Sequence, residues 1–188
     1  MTATTPATSP TSPATTSATT PSPTNTASAA LAADDFRSVF RRHPAGVAVI
    51  GLQDGGRLVG FTATSVISVS AEPPLLAFSL ASSSSSWPAV ARAETVTVSF
   101  LAVDQAEVSA RFATSGIDRF AAGGWRALSS GEPVIEGAVA WVRARVLARV
   151  PAGGSHLVTI EAVEHARNPD GEPLVFHDRG YHRLAGRI

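Results

Sequence analysis

Gly60-Phe61-Thr62-Ala63-Thr64-Ser65-Val66-Ile67-Ser68-Val69-Ser70-Ala71-Glu72-Pro73-Pro74 sets small hydroxyl side chains among strand-like apolar residues. A Pro-Pro break ends it, and Leu75-Leu76-Ala77-Phe78-Ser79-Leu80 follows as an apolar run. Short hydroxyls supply donors and acceptors, and small side chains let the backbone approach a ligand closely. Such a surface suits a flat, hydrogen-bonding cofactor that carries a phosphate. A second hydroxyl cluster, Ser82 to Ser86, runs directly into Trp87-Pro88.

The chain around it has 188 residues, 44% of them hydrophobic and 16% charged, enough for one domain with a core. Fifteen basic and fifteen acidic residues cancel, and every basic one is arginine. A neutral chain gives no support for nucleic-acid binding, which needs a basic face. The absence of cysteine rules out a disulfide scaffold, a thiolate nucleophile and a cysteine-ligated metal. No apolar run reaches the ~18 residues of a membrane helix, and no secretory signal pattern opens the chain. A cytoplasmic protein without membrane association is the expectation.

Residues 1–32 are almost entirely Thr, Pro, Ser and Ala. Without charge, and with Met1 and Leu31 as its only large apolar side chains, such a segment cannot offset its ordering entropy, so a disordered tail is expected there. The folded domain is expected over 33–188. Asp34 and Asp35 are placed to cap a short helix with Phe36, Val39 and Phe40 on one face, ended by His43-Pro44. Gly46 to Leu52 reads as a strand, Asp54-Gly55-Gly56 as a hairpin turn, and Arg57 to Ala63 as the returning strand.

Leu75 to Leu80 reads as a buried strand. Ser85 or Ser86 then caps a helix with Pro88 in its first turn. Thr95 to Leu101 is strand. Asp104 to Glu107 has capping-box character and opens a helix through Val108 and Phe112. Ala138 to Val150 and Leu157 to Val163 are strands around Gly153-Gly154, and Leu174-Val175-Phe176 is a last strand. Many short strands with few helices indicate a mainly β protein, a β-barrel or sandwich. No Gly-x-Gly-x-x-Gly follows a strand, which argues against a Rossmann fold.

From Phe36 to Leu184 the chain resembles the short-chain flavin reductase family, whose fold is the FMN-binding split barrel. The resemblance rests on several segments in order: Phe40 to Ile50, Gly60 to Ser65 with Ser68-Val69-Ser70 and Pro73-Pro74, and Ser83 to Pro88. It continues with Arg111-Phe112-Ala113, Asp118-Arg119-Phe120, Trp125, Gly154-Ser155-His156 and Arg179-Gly180-Tyr181. Family members often carry Asn-Arg where this chain has Ala81-Ser82, and Asp where it has Ser155.

The resemblance implies FMN or FAD, and NADH or NADPH as co-substrate. It also implies a flavin-dependent monooxygenase as partner, and a homodimer. It assigns Thr62, Ala63, Thr64 and Ser65 to the isoalloxazine edge. Ser79, Ser82 and Ser85 go to the ribityl chain and phosphate, with Phe112 and Ala113 near the same end. His156 and Tyr181 shape the nicotinamide pocket, with His156 as the catalytic candidate. Hydride transfer between stacked rings needs no acid–base dyad from the protein. Two other readings fit the same fold: a non-catalytic flavin-binding module, and an enzyme acting directly on an organic substrate, such as a flavin-dependent oxygenase or a pyridoxamine-phosphate-type oxidase. His165, His177 and His182 lack metal-ligand spacing, so no metal is expected. Trp87, Trp125 and Trp141 read as packing residues, and Arg143 and Arg145 as a solvated or dimer-facing strand edge.

Overall fold

A computed structural model describes residues 1–2 and 30–186. The chain divides into Met1–Ala32 and Ala33–Ile188, and the second unit carries the fold. The expected tail falls almost wholly on 3–29, outside the described residues.

The elements in order are α1 (Ala33–Arg41), β1 (Ala45–Gly46), β2 (Ala48–Asp54), β3 (Arg57–Ala63), β4 (Ile67–Ser70), β5 (Leu75–Ala81), α2 (Trp87–Arg92), β6 (Thr95–Phe100) and α3 (Ala106–Ala113). They continue with β7 (Trp125–Ala127), β8 (Pro133–Ile135), β9 (Ala140–Ala152), β10 (Ser155–Arg167), β11 (Val175–His177) and β12 (Gly180–His182). The protein is mainly β, as expected.

Seven strands form one sheet in the order β3-β2-β6-β9-β10-β5-β4, with every pairing antiparallel. Its two edge strands, β3 and β4, are consecutive in sequence. The connection Thr64-Ser65-Val66 reaches no more than about 14 Å, so the sheet must curl until its edges are neighbours. They do not pair, which leaves the barrel open along β3. The Ser65 hydroxyl, just before β4, continues the pairing with β5, accepting from Ser79 N (3.0 Å) and donating to Ser79 O (3.1 Å).

Local sequence explains the turns. Gly55 and Gly56 both take positive φ (58° and 84°) in the two-residue β2–β3 loop, where twist-compatible hairpin turns demand it. Inside the curl, Ile50, Leu52, Phe61, Phe78, Val98 and Ile160 form the main core. Outside β2 and β3, a second core gathers Val47, Val49, Leu101, Phe112, Phe120 and Leu174. It holds α3 and the loop after α3 against the sheet. Arg149, projecting from β9, donates to the carbonyls of Val90 (2.8 Å) and Ala93 and so satisfies the C-terminus of α2.

Several expectations need correction. Asp34 and Asp35 lie in the first turn of α1 rather than capping it, and Asp34 pairs with Arg37 at 2.5 Å. Phe36, Val39 and Phe40 are 52%, 61% and 55% exposed, so the apolar face of α1 is uncovered in the isolated chain. The strand expected over Gly46–Leu52 is two, because β1 pairs with β11 while β2 stays in the large sheet. Ser86 is the N-cap of α2 without a side-chain capping bond. The cap of α3 is Gln105, not Asp104. Its amide accepts from Ala102 N (2.9 Å) and donates to Glu136 O (2.7 Å), so no capping box forms. Val175–His177 is not the last strand, since β12 folds back on it.

Arg143 and Arg145 do not sit on an edge, because β9 lies between β6 and β10. Arg143 donates to Glu132 Oε1 (3.0 Å), and Arg145 pairs with Glu161 (2.5 Å). Glu132 is only 3% exposed. Burial pushes its carboxyl up. Hydrogen bonds from Ser130, Thr95 and its own backbone, with the charge of Arg143, outweigh that and hold it below the usual carboxylate range.

Candidate functional site

The open edge of β3 is where the candidate residues collect. Gly60 has no room for a side chain, since an added Cβ would lie 2.7 Å from Phe112 Cε1 and 2.9 Å from Phe120 Cζ. Phe112 is fully buried by this contact, which corrects its expected place beside a ligand. Ala113, the last residue of α3, is exposed.

One turn back on the same face of α3 is Ser109, 1% exposed. Thr62 Oγ1 donates to its carbonyl (2.6 Å), and Tyr181 Oη donates to its Oγ (2.9 Å). Thr62 and Tyr181, far apart in sequence, are therefore locked to one buried serine. Sequence reading missed Ser109, and its three-residue spacing from Phe112 was the available signal. Ala63 points into the core and offers only its backbone.

Thr64, Ser65 and Ser79 line a cavity of about 680 Å³ walled by α1 and the β11–β12 hairpin. Ser65 spends its hydrogen on Ser79 O, so only a lone pair remains for a ligand. The hairpin turn residues Asp178 and Arg179 hold φ of 45° and 66° and line the same cavity. Positive φ is costly for residues with a side chain.

Ser85 and Ser86 line a second cavity of about 880 Å³ with Arg57, Gly60, Arg119 and Trp125. Arg119 is the residue that the hydroxyl pattern did not reveal. Its Nε donates to Thr114 O (2.8 Å), and its Nη1 to Gly60 O (2.6 Å) and Ser86 Oγ (3.3 Å). It pairs with no carboxylate among the described residues. Neighbouring Asp118 turns away and accepts from Phe120 N (3.0 Å). Burial lowers the pKa of the guanidinium, which stays charged all the same. A partly desolvated cation held by neutral carbonyls, beside two serine hydroxyls, suits a phosphate ester.

His156 does not lie in a turn, as expected, but is the second residue of β10, paired with Leu80 and Pro151. Its Nδ1 is 3.2 Å from Ser82 Oγ, and its ring stacks on Trp87 at 3.6 Å and 11°. Ser82 is thus engaged with His156, not turned towards Ser85 and Arg119. Among the described residues, no three His, Asp or Glu side chains gather as metal ligands. No helix there is long and apolar enough to cross a membrane.

The fold and these segments have counterparts. A flavin reductase like domain matches residues 40–185. An NADH:FMN oxidoreductase of Rhodococcus qingshengii is 42% identical over 162 residues, covering 83% of this chain and 84% of the relative. The actinorhodin polyketide dimerase of Streptomyces coelicolor is 38% identical, covering 82% and 89%. A flavin-dependent monooxygenase reductase subunit of Mycobacterium tuberculosis is 36% identical, covering 82% and 83%. Among solved structures, a flavin reductase domain protein from Arthrobacter sp. FB24 superposes with a TM-score of 0.78 at 36% identity, covering 82% of this chain and 97% of that one. The NADH:FAD oxidoreductase of Streptomyces globisporus, solved with NAD and FAD fragments, superposes at 0.77 with 27% identity, covering 81% and 92%. With the match spanning nearly all of the folded unit, the chain belongs to the flavin reductase like domain family.

Proposed function

We propose that this chain is an NADH-dependent flavin reductase that passes a hydride to FMN or FAD and delivers the reduced flavin to a monooxygenase component. The observation that carries it is the free edge of β3 with Arg119 fixed beside it. An edge strand offers unpaired backbone donors and acceptors to a flat heterocycle. A guanidinium with no carboxylate partner among the described residues, beside Ser85 and Ser86, offers a seat for the phosphate. When bound, the flavin supplies the hydride acceptor. The chain binds, orients and excludes water.

Thr62, Ala63 and Thr64 present backbone and hydroxyl groups to the ring, with Ser65, Ser79 and Ala113 around them. Tyr181, anchored on Ser109, closes one side. His156 belongs to the nicotinamide side. The monooxygenase partner is supported by the relative from M. tuberculosis, named as a reductase subunit. A homodimer is supported by the uncovered Phe36, Val39 and Phe40 of α1 and by exposed Ile67 and Val69 on edge strand β4. The relative named polyketide dimerase favours one second reading, in which the bound flavin acts on an organic substrate directly.

Purified protein mixed in air with NADH and increasing FMN or FAD tests the proposal. Protein-dependent loss of the reduced-nicotinamide absorbance that saturates with flavin supports the reductase. Flavin binding without NADH oxidation moves the reading to the direct-acting enzyme or a binding module.

A further inference from the structure

The His156 ring on β10 takes no orientation from the residues beside it in sequence. Ser155, which stands where family members often carry Asp, makes no side-chain hydrogen bond among the described residues. Orientation comes from across the fold instead. Ser82, just past the end of β5, lies 3.2 Å from Nδ1, and its backbone N–H is fixed on Gly154 O at 2.9 Å. Trp87, the first residue of α2, covers one ring face at 3.6 Å and only 11° from parallel. The indole is itself packed against the main core, so the platform is rigid. Together they fix the ring plane and the rotation of the imidazole within it. Nε2 is left without a protein partner among the described residues.

We propose that Trp87 and Ser82 are positioning residues that clamp His156 with its Nε2 presented to the nicotinamide nucleotide. This rests on the reading of the chain as an NADH-dependent flavin reductase. A hydroxyl can donate to or accept from Nδ1, so the clamp fixes geometry without fixing a tautomer. Nε2 can then donate to a phosphate or carboxamide oxygen, or accept from a carboxamide N–H. A carboxylate on Nδ1 would allow only donation by the neutral ring's Nδ1, leaving Nε2 an acceptor. Stacking supplies the orientation that the absent carboxylate would otherwise give. It also shields one ring face from water.

The test has two arms on the full chain. The first is the proton NMR spectrum, with the His156 ring assigned by its loss in His156→Gln. Ring current from the stacked indole is expected to move the His156 C–H resonances upfield of ordinary histidine positions, and Trp87→Leu is expected to return them. The second is steady-state kinetics. Trp87→Leu and Ser82→Ala are each expected to raise the KM for NADH about five- to tenfold, with a smaller change in kcat and the flavin dissociation constant within twofold. Trp87→Phe is expected to recover most of the lost affinity. Ser82→Ala removes only an exposed hydroxyl and guards against a folding defect in Trp87→Leu. Unshifted His156 resonances in the wild type overturn the clamp. So does an NADH KM unmoved in both variants. A wild type that binds flavin and oxidises no NADH overturns the reductase reading and the positioning role with it. That result is separable, because the NMR arm still reports the stack.

Discussion

At Arg119, three neutral acceptors hold a charge that has no counter-ion among the described residues. On the proposed reading a flavin phosphate completes that arrangement. Arg119→Gln is expected to weaken FMN binding about tenfold, or ~1.4 kcal/mol, measured by quenching of flavin fluorescence. Arg119→Lys is expected to recover little, because one ammonium cannot meet Thr114 O, Gly60 O and Ser86 Oγ in their fixed directions. Riboflavin, which lacks the phosphate, is expected to bind wild type and Arg119→Gln alike. A second residue-scale expectation concerns Glu132. Arg143→Gln leaves a buried carboxylate without its cation and is expected to cost about 2–3 kcal/mol in urea unfolding, less than a fully buried pair because Arg143 is partly exposed.

Among the elements, β3 has the tightest fit. Gly60→Ala pushes a methyl group into Phe112 and Phe120, two rings that are buried on the other side as well. It is expected to cost about 1–3 kcal/mol of stability and to weaken flavin binding, since Gly60 also carries the carbonyl that Arg119 grips. Thermal unfolding and flavin titration of this variant separate the two effects. This strand was fully legible in the sequence. Asp54-Gly55-Gly56 marks the hairpin turn, and the strand read over Arg57 to Ala63 is the one the structure forms. The β9–β10 hairpin was legible from Gly153-Gly154, although β9 lies two residues later than the expected Ala138–Val150 and β10 extends beyond Leu157–Val163 at both ends.

What lay hidden was long-range. Ser109 looks like any small polar residue on a helix until Thr62 and Tyr181 are seen to meet on it. Arg119 sits in an aperiodic loop, where no spacing rule applies. A run of identical serines carries no directional information, so sequence alone groups Ser82 with the phosphate-binding hydroxyls. Only the pairing of β5 with β10 turns Ser82 towards His156. Ser86 stands at the N-cap of α2 as expected but makes no side-chain capping bond, and at α3 the N-cap is Gln105 rather than Asp104, with its amide spent on Ala102 N and Glu136 O.

For the molecule as a whole, an open sheet and an uncovered α1 leave apolar surface that a second copy can bury. Light scattering on the full chain is expected to give twice the monomer mass, and Phe36→Asp combined with Phe40→Asp is expected to give the monomer. Stability towards acid follows from Glu132. Its folded pKa lies below the usual value of 4.5, so the unfolded chain binds the proton more readily. The stability it contributes is complete above that value and is lost as pH falls through the folded pKa. Glu132→Gln is expected to flatten the acid limb of a plot of unfolding free energy against pH.

The central claim is that hydride passes from NADH to a flavin held on this chain. Anaerobic stopped-flow mixing of the flavin-loaded protein with NADH measures that step alone, through bleaching of the oxidised flavin band. The account expects one full bleach per bound flavin, at least as fast as steady-state turnover. Bound flavin that stays oxidised under excess NADH would contradict it.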